Sequence, residues 1–154
     1  MTSLTEATKK LEHYCAYQER CHKEVIAKLR DMKVDPDASD SIIVHLINHN
    51  FLNEERFACS FARGKHRIKK WGRNRIVNEL RARDISTYNI TTALKEISPE
   101  EYEQTFHELA EKHWESLGGR NSMLKRKTFC DFLLRKGFET DIIYEKAKSL
   151  ETGR

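Results

Sequence analysis

Apolar residues recur along the chain at helical spacing, and one short pattern occurs three times at intervals of about fifty residues. Each copy has two adjacent apolar residues, then a Leu, then a closing apolar residue. The first apolar residue and the Leu share one helical face, and the closing residue follows a position suited to a helix C-cap. The pattern therefore predicts a helix, a tight turn and a second helix in each copy: Val25-Ile26, Leu29 and Val34; Ile76-Val77, Leu80 and Ile85; Phe129-Cys130, Leu133 and Phe138.

Further helices are predicted on both sides of each copy. Helical segments precede the copies at about 4–19, 53–69 and 98–117, and N-caps at Ser39, Ser86 and Thr140 begin a helix after each. The predicted fold class is all-α, with three tandem three-helix, helix-turn-helix-like repeats that stack as an elongated, curved array. Their expected boundaries are 1–52, 53–97, which is basic, and 98–154. The alternative is one compact helical bundle in which the repeated spacing has no meaning.

Composition agrees with long, polar-faced helices and gives no indication of an enzyme. The chain is 34% charged and 38% hydrophobic, its mean hydropathy is −0.74, and it contains six Gly and two Pro. Neither a secretory signal nor a membrane-spanning run is present in the sequence, so a cytoplasmic location is expected. Phosphate-binding and catalytic motifs are also absent, which favours a binding protein with no cofactor and no metal. Cys15, Cys21, Cys59 and Cys130 form no C-x-x-C pair and are predicted to be buried thiols.

Charge is distributed unevenly along the chain. The formal net charge is only +4, yet Arg56–Arg83 contains ten basic residues and the single acid Glu79. An acidic segment follows at 95–115, and a second basic segment lies at 120–136. Such a basic block suits phosphates or an acidic protein surface. A solvated helical face with no partner is the alternative interpretation.

On the helix predicted over 53–70, a cationic stripe lies beside the apolar face. Phe57, Phe61, Gly64 and Ile68 are predicted to face the core, and Arg56, Arg63, Arg67 and Lys70 to lie together about 100° away as a stripe of uncompensated positive charge. Trp71 could stack on a base or clamp an arginine, or it could anchor packed helices. The candidate binding residues are Arg56, Arg63, Lys65, Arg67, Lys69, Lys70, Trp71, Arg73, Arg75, Lys125, Arg126 and Lys127.

The segment from Phe51 to Ile85 resembles the RecX family of regulatory proteins. The resemblance lies in Phe51-Leu52-Asn53-Glu54-Glu55-Arg56-Phe57-Ala58, in Lys69-Lys70-Trp71-Gly72, and in the spacing from Arg75 to Ile85. Outside it, the similarity is mainly in helical pattern and in the turn Arg135-Lys136-Gly137-Phe138. Asp84 and Lys33 stand where a glycine usually closes the helix in this family, so the turn geometry at both positions is left open.

The resemblance implies three tandem three-helix repeats and a regulatory function. Proteins of this family bind the RecA filament on single-stranded DNA and restrain its ATPase, strand-exchange and coprotease activities. The implied partners are RecA and single-stranded DNA, contacted directly or through the filament, with no membrane, and a monomer is expected. Two other classes remain open from the residues alone: a helix-turn-helix transcription regulator and a protein adaptor without a nucleic-acid role.

Overall fold

A computed structural model describes residues 3–153, over which the chain forms nine α-helices and no strand. In order these are α1 (Leu4–Tyr17), α2 (His22–Asp31), α3 (Pro36–Asn48), α4 (Glu54–Lys69), α5 (Arg73–Ala82), α6 (Thr87–Leu94), α7 (Pro99–Leu117), α8 (Met123–Lys136) and α9 (Thr140–Glu151). The predicted all-helical class is confirmed. None of these helices is both long and apolar enough to cross a bilayer.

The chain divides into two compact units, and the first consists of Met1–Ser60 and Leu80–Thr92. Within it, α1 packs on α2 and α3, and α2 packs on α3. Residues at helical spacing on the three helices meet in one apolar core, because burial of such a stripe is the main source of helical stability in a protein. This core contains Ala7, Leu11, Cys15, Val25, Leu29, Ile42, Leu46 and Leu52.

The second unit consists of Phe61–Glu79 and Ala93–Arg154. Within it, α7 packs on α8 and α9, and α8 packs on α9. Three phenylalanines of this unit are almost fully buried, Phe106, Phe129 and Phe138, and the rings of Phe106 and Phe138 are in contact, with centroids 5.1 Å apart. Helices α4, α5 and α6 each contribute residues to both units. The repeat boundaries at 52/53 and 97/98 remain a prediction.

The turn that closes each copy of the repeated pattern has the same backbone geometry. Lys33, Asp84 and Gly137 occupy equivalent positions and have φ angles of 58°, 59° and 98°. The following amide donates to the Leu carbonyl five positions earlier, which is the hydrogen bond of a Schellman cap. The turn is therefore left-handed in all three copies, with or without glycine: Val34 to Leu29 at 3.1 Å, Ile85 to Leu80 at 3.1 Å and Phe138 to Leu133 at 3.2 Å.

The helix that follows each turn begins close to the predicted position in two copies. Ser86 caps α6, since its hydroxyl accepts from the Asn89 amide at 3.1 Å, and α9 begins at Thr140 itself rather than after it. The prediction that Ser39 caps α3 is wrong. The cap is Asp35, whose carboxylate accepts from the Ala38 amide at 2.9 Å, and Pro36 fits the first turn because it needs no amide partner there.

The cysteines agree in the main with their predicted role. No disulfide joins them, and Cys15, Cys21 and Cys130 are buried. Burial raises the pKa of these three thiols above the ordinary value, so they stay protonated at neutral pH. Cys59 is only half-buried.

Candidate functional site

The cationic stripe predicted on α4 is paired with acids from other segments. Arg56 Nε lies 2.6 Å from a Glu19 carboxylate oxygen. Arg63 pairs with Glu96, and Arg67 Nε lies 2.9 Å from a Glu101 oxygen. The prediction of an uncompensated stripe is therefore wrong for these three arginines. Their partners lie outside α4, and two of them, Glu96 and Glu101, belong to the acidic segment 95–115.

The Arg67–Glu101 pair is the clearest of these contacts. The Arg67 guanidinium donates to both Glu101 oxygens, from Nε at 2.9 Å and from a terminal nitrogen at 3.3 Å. This hydrogen bonding lowers the pKa of Glu101 and raises that of Arg67. Both side chains remain partly exposed, and ion pairs at the surface contribute little to stability. The arginine is therefore compensated but can still exchange its partner for another anion.

The buried face of α4 also differs from the prediction at two positions. Ile68 is 76% exposed, whereas the polar residue His66 is fully buried. His66 Nδ1 donates to the Trp71 carbonyl at 2.9 Å, and its ring stacks on Tyr102 with centroids 5.4 Å apart. The spacing of apolar residues predicted that the buried face of α4 includes Ile68, because histidine is not counted as an apolar residue.

Arg73 has a structural role inside the second unit. Its guanidinium lies 3.7 Å from the centre of the Tyr102 ring and 3.0 Å from a Glu139 oxygen. The Tyr102 hydroxyl donates to Glu139 and accepts from the Arg73 amide at 2.9 Å. Burial, followed by the hydrogen bond to Glu139, raises the pKa of Tyr102 strongly. Arg73 is therefore engaged in contacts inside this unit, and its role as a partner-binding residue stays a prediction.

Two turns meet closely where α4 passes into α5. The Gly72 amide donates to the Lys136 carbonyl at 2.7 Å, and the Asn74 amide donates to the Gly137 carbonyl at 2.9 Å. A Cβ on Gly72 would lie 2.5 Å from the Gly137 carbonyl carbon, and a Cβ on Gly137 would lie 2.3 Å from the Arg75 Cβ. Only glycine fits at either position, so the turn after α4 is fixed against the turn after α8.

Beside this contact lies a group of cations that we call the Trp71 cluster: Trp71, Lys65, Lys69, Arg75 and Lys136. The Arg75 Cζ lies 4.2 Å from the centre of the Trp71 ring, and Lys65 Nζ lies 5.1 Å from it. Phe61 contacts the same indole edge-on, with centroids 6.1 Å apart. Trp71 is half-buried, so it both anchors the turn and holds cations against its ring.

Lys136 was not predicted as a site residue, and only the tight turn places it in the cluster. Its Nζ donates to the Lys69 carbonyl at 3.0 Å, while the Arg75 guanidinium donates to the Arg135 carbonyl at 3.1 Å. Burial lowers the pKa of Lys136, and the neighbouring charges of Arg75 and Lys69 lower it further. Within residues 3–153, no carboxylate forms an ion pair with Lys65, Lys69 or Lys136. A bound anion would therefore relieve repulsion at this cluster.

The remaining predicted cations differ in their surroundings. Lys70 is exposed, has φ 61°, and donates from Nζ to the Arg67 carbonyl at 2.8 Å. In the second basic segment, Lys125 Nζ lies 4.1 Å from the centre of the Trp114 ring. Arg126 pairs with Glu151, and Lys127 Nζ lies 2.6 Å from Asp131. The structure does not bring this second segment's three residues into the Trp71 cluster.

Comparison with protein families matches residues 53–94 to the second three-helix domain of RecX. Curated relatives named Regulatory protein RecX match over more of the chain. The protein from Bacillus cytotoxicus is 27% identical over 84% of this chain and 48% of its own length, and that from Oceanobacillus iheyensis is 26% identical over 91% and 52%. This chain thus spans about half the length of these two relatives. The Amycolatopsis mediterranei protein is 26% identical over 93% of this chain and 84% of its own.

Solved structures agree with this similarity. The crystal structure of RecX from Lactobacillus salivarius is 25% identical, covers 98% of this chain and 97% of its own, and has a TM-score of 0.81. A second crystal structure, of a regulatory protein RecX, shares the fold with a TM-score of 0.79 at 21% identity. Both support three-helix repeats as the fold of this chain.

Proposed function

We propose that this relative of the RecX regulatory proteins binds the RecA filament on single-stranded DNA and lowers its ATPase, strand-exchange and coprotease activities. The observation that supports the proposal best is the Trp71 cluster, in which Lys65, Lys69 and Lys136 have no ion-pair partner among the described residues. Its natural ligands are DNA phosphates or carboxylates on the filament surface. The protein acts as a binder and not as an enzyme.

Binding alone is sufficient for such control. A ligand that prefers one state of the filament shifts the filament toward that state by its difference in affinity. Contacts repeated along a filament add to one another, so a modest affinity at each contact produces strong overall binding. Because phosphate contacts release counterions, binding should weaken as the salt concentration rises.

The decisive experiment measures single-strand-stimulated ATP hydrolysis by RecA of the same organism. The native chain in stoichiometric excess should lower the rate. A cluster variant with Lys65→Glu, Lys69→Glu and a change in the adjoining residue, Lys70→Glu, should lose about tenfold or more in inhibitory potency, since each change replaces a phosphate-binding cation with a repelling charge. These lysines have no ion pairs to break within the described chain, so the fold should persist.

The matched control carries Lys95→Glu, Lys112→Glu and Lys148→Glu, which are exposed positions outside the cluster. Both variants have the same net charge, so a loss confined to the first variant reports the site and not total charge. Equal inhibition by native chain and cluster variant would contradict the proposed contact. No inhibition by the native chain would contradict RecA as the target, and protection of a defined duplex sequence would instead favour the helix-turn-helix regulator.

A further inference from the structure

An open groove between α1 and α2, in the first unit, carries cations that the sequence did not single out. It has a volume of about 630 Å³ and is lined by Lys9, Lys10, His13, Tyr14, Tyr17, Arg20, Lys28 and Met32. No carboxylate is among these lining residues. The cations Lys9, Lys10, Arg20 and Lys28 form no ion pair within residues 3–153.

The acidic residues closest in sequence to the groove make contacts elsewhere, which explains why no carboxylate lines it. Glu12 lies 2.7 Å from His45, and Glu19 lies 2.6 Å from Arg56. Glu24 accepts from the Cys21 amide at 3.1 Å and so caps α2. Three acids of this segment are therefore engaged in packing and capping. The positive charge of the groove is left without compensation.

Two tyrosine rings lie among these cations. The Arg20 guanidinium stacks 3.7 Å from the centre of the Tyr14 ring, and its Nε donates to the Tyr14 carbonyl at 3.0 Å, which fixes the plane of the guanidinium. Lys28 Nζ lies 5.5 Å from the same ring. Tyr17, one turn further along α1, is 78% exposed. Within the described residues, no ring or cation covers it.

From this arrangement we propose that the α1–α2 groove binds single-stranded nucleic acid, with a base stacked on Tyr17 and phosphates on Lys9, Lys10 and Lys28. A free aromatic face beside uncompensated cations is the chemistry that recognises an unpaired nucleotide, because the base has a flat face and the backbone a negative charge. In a duplex the faces of the bases are stacked on one another and cannot reach Tyr17, and an acidic peptide would pair with the cations but leave the Tyr17 ring uncovered. This site shares no residue with the Trp71 cluster and does not depend on control of RecA.

The test measures direct binding of a labelled oligothymidine to the full chain without RecA. The measurement uses the Lys65→Glu, Lys69→Glu, Lys70→Glu background, in which the Trp71 cluster has lost two of its four cations and contributes less. Adding Tyr17→Ala should weaken binding about tenfold, the equivalent of about 1.4 kcal/mol, whereas adding Tyr17→Phe should leave the affinity of this background unchanged. The control Tyr88→Ala removes a tyrosine that is 74% exposed elsewhere in the same unit, and should change nothing.

Two further readouts locate the ligand. An oligonucleotide containing iododeoxyuridine should cross-link under light to the tryptic peptide Leu11–Arg20, which contains both tyrosines. Lys9→Ala and Lys10→Ala should each reduce the slope of log affinity against log salt by about 0.7. An unchanged affinity on adding Tyr17→Ala, equal binding of an abasic strand, or cross-links only outside Leu11–Arg20 would each overturn the inference. None of these results bears on inhibition of RecA.

Discussion

At the scale of single residues, one histidine links this fold to pH. His113 on α7 packs its ring against Phe132, with centroids 3.8 Å apart, and its Nε2 is buried without a hydrogen-bond partner among the described residues. Burial lowers the pKa of His113 below its ordinary value, and the charge of Arg135 lowers it further. The neutral ring is therefore the form that the folded protein favours.

Stability should accordingly fall on acidification. Below pH 6.5 the unfolded chain protonates His113 before the folded one does, so the unfolded state binds more protons and the free energy of unfolding decreases between pH 7.5 and 5.5. Urea unfolding at these two pH values should show this decrease, and His113→Phe should make it smaller. His107→Phe, on an exposed face of the same helix, serves as the control. An unchanged decrease in His113→Phe would contradict the assignment.

Residue-level features divide into those that the sequence could indicate and those that it could not. Cations at Lys65 and Lys69 were found from the sequence because charge density is a local property. The ion pairs of Arg63 and Arg67 were not, since their partners are 33 and 34 positions away. Lys136 was missed for the same reason, because only the folded turn after α8 brings it beside Arg75. The burial of His66 could not be predicted from the spacing of apolar residues, because histidine is polar.

At the scale of elements, close contact between two turns fixes the site. The turn after α4 and the turn after α8 exchange backbone hydrogen bonds through Gly72 and Gly137, and no side chain separates them. The three repeated turns themselves were predictable, because a helix cap and its apolar neighbours lie within a few residues of one another. The contact between one of them, the turn after α8, and the turn after α4 could not be predicted, because it requires the tertiary structure.

Two glycines near the site should respond in opposite directions to the same substitution. Gly72→Ala should lower the free energy of unfolding by about 1–3 kcal/mol, because its Cβ would overlap backbone atoms of the facing turn. Gly64→Ala should raise it by about 0.5–1 kcal/mol, since this helical position has open space around its Cβ and alanine favours the helix. Urea titration of both variants gives the two values. Equal effects of the two changes would contradict the described packing.

At the scale of the whole molecule, compact units do not follow the repeats expected from the sequence. The second unit takes Phe61–Glu79 from the middle of the chain and adds it to the segment after Ala93. Within this unit Tyr102 and Glu139 bind Arg73, so a fragment that begins at residue 98 lacks a partner for both. The periodicity of apolar residues identifies repeated segments, but it does not indicate which of these segments share a core.

Truncation tests this organisation. The fragment 98–154, although it contains a full predicted repeat, should show reduced helicity and a broad thermal transition by circular dichroism. The fragment 61–154 restores Gly72, Arg73 and Ile76 to the unit, and should unfold at a higher temperature with a sharper transition. Cooperative unfolding of 98–154 at the same temperature as the longer fragment would show that the third repeat is independent.

The shared left-handed turn also matters for how such chains are found by sequence comparison. Position 137 admits only glycine because Arg75 lies against it, whereas Lys33 and Asp84 hold the same backbone conformation with exposed side chains. A search profile that requires glycine at this turn would detect the third copy of the pattern and miss the first and second copies. The apolar residue just after the turn is the more faithful signature, since it is present in every copy.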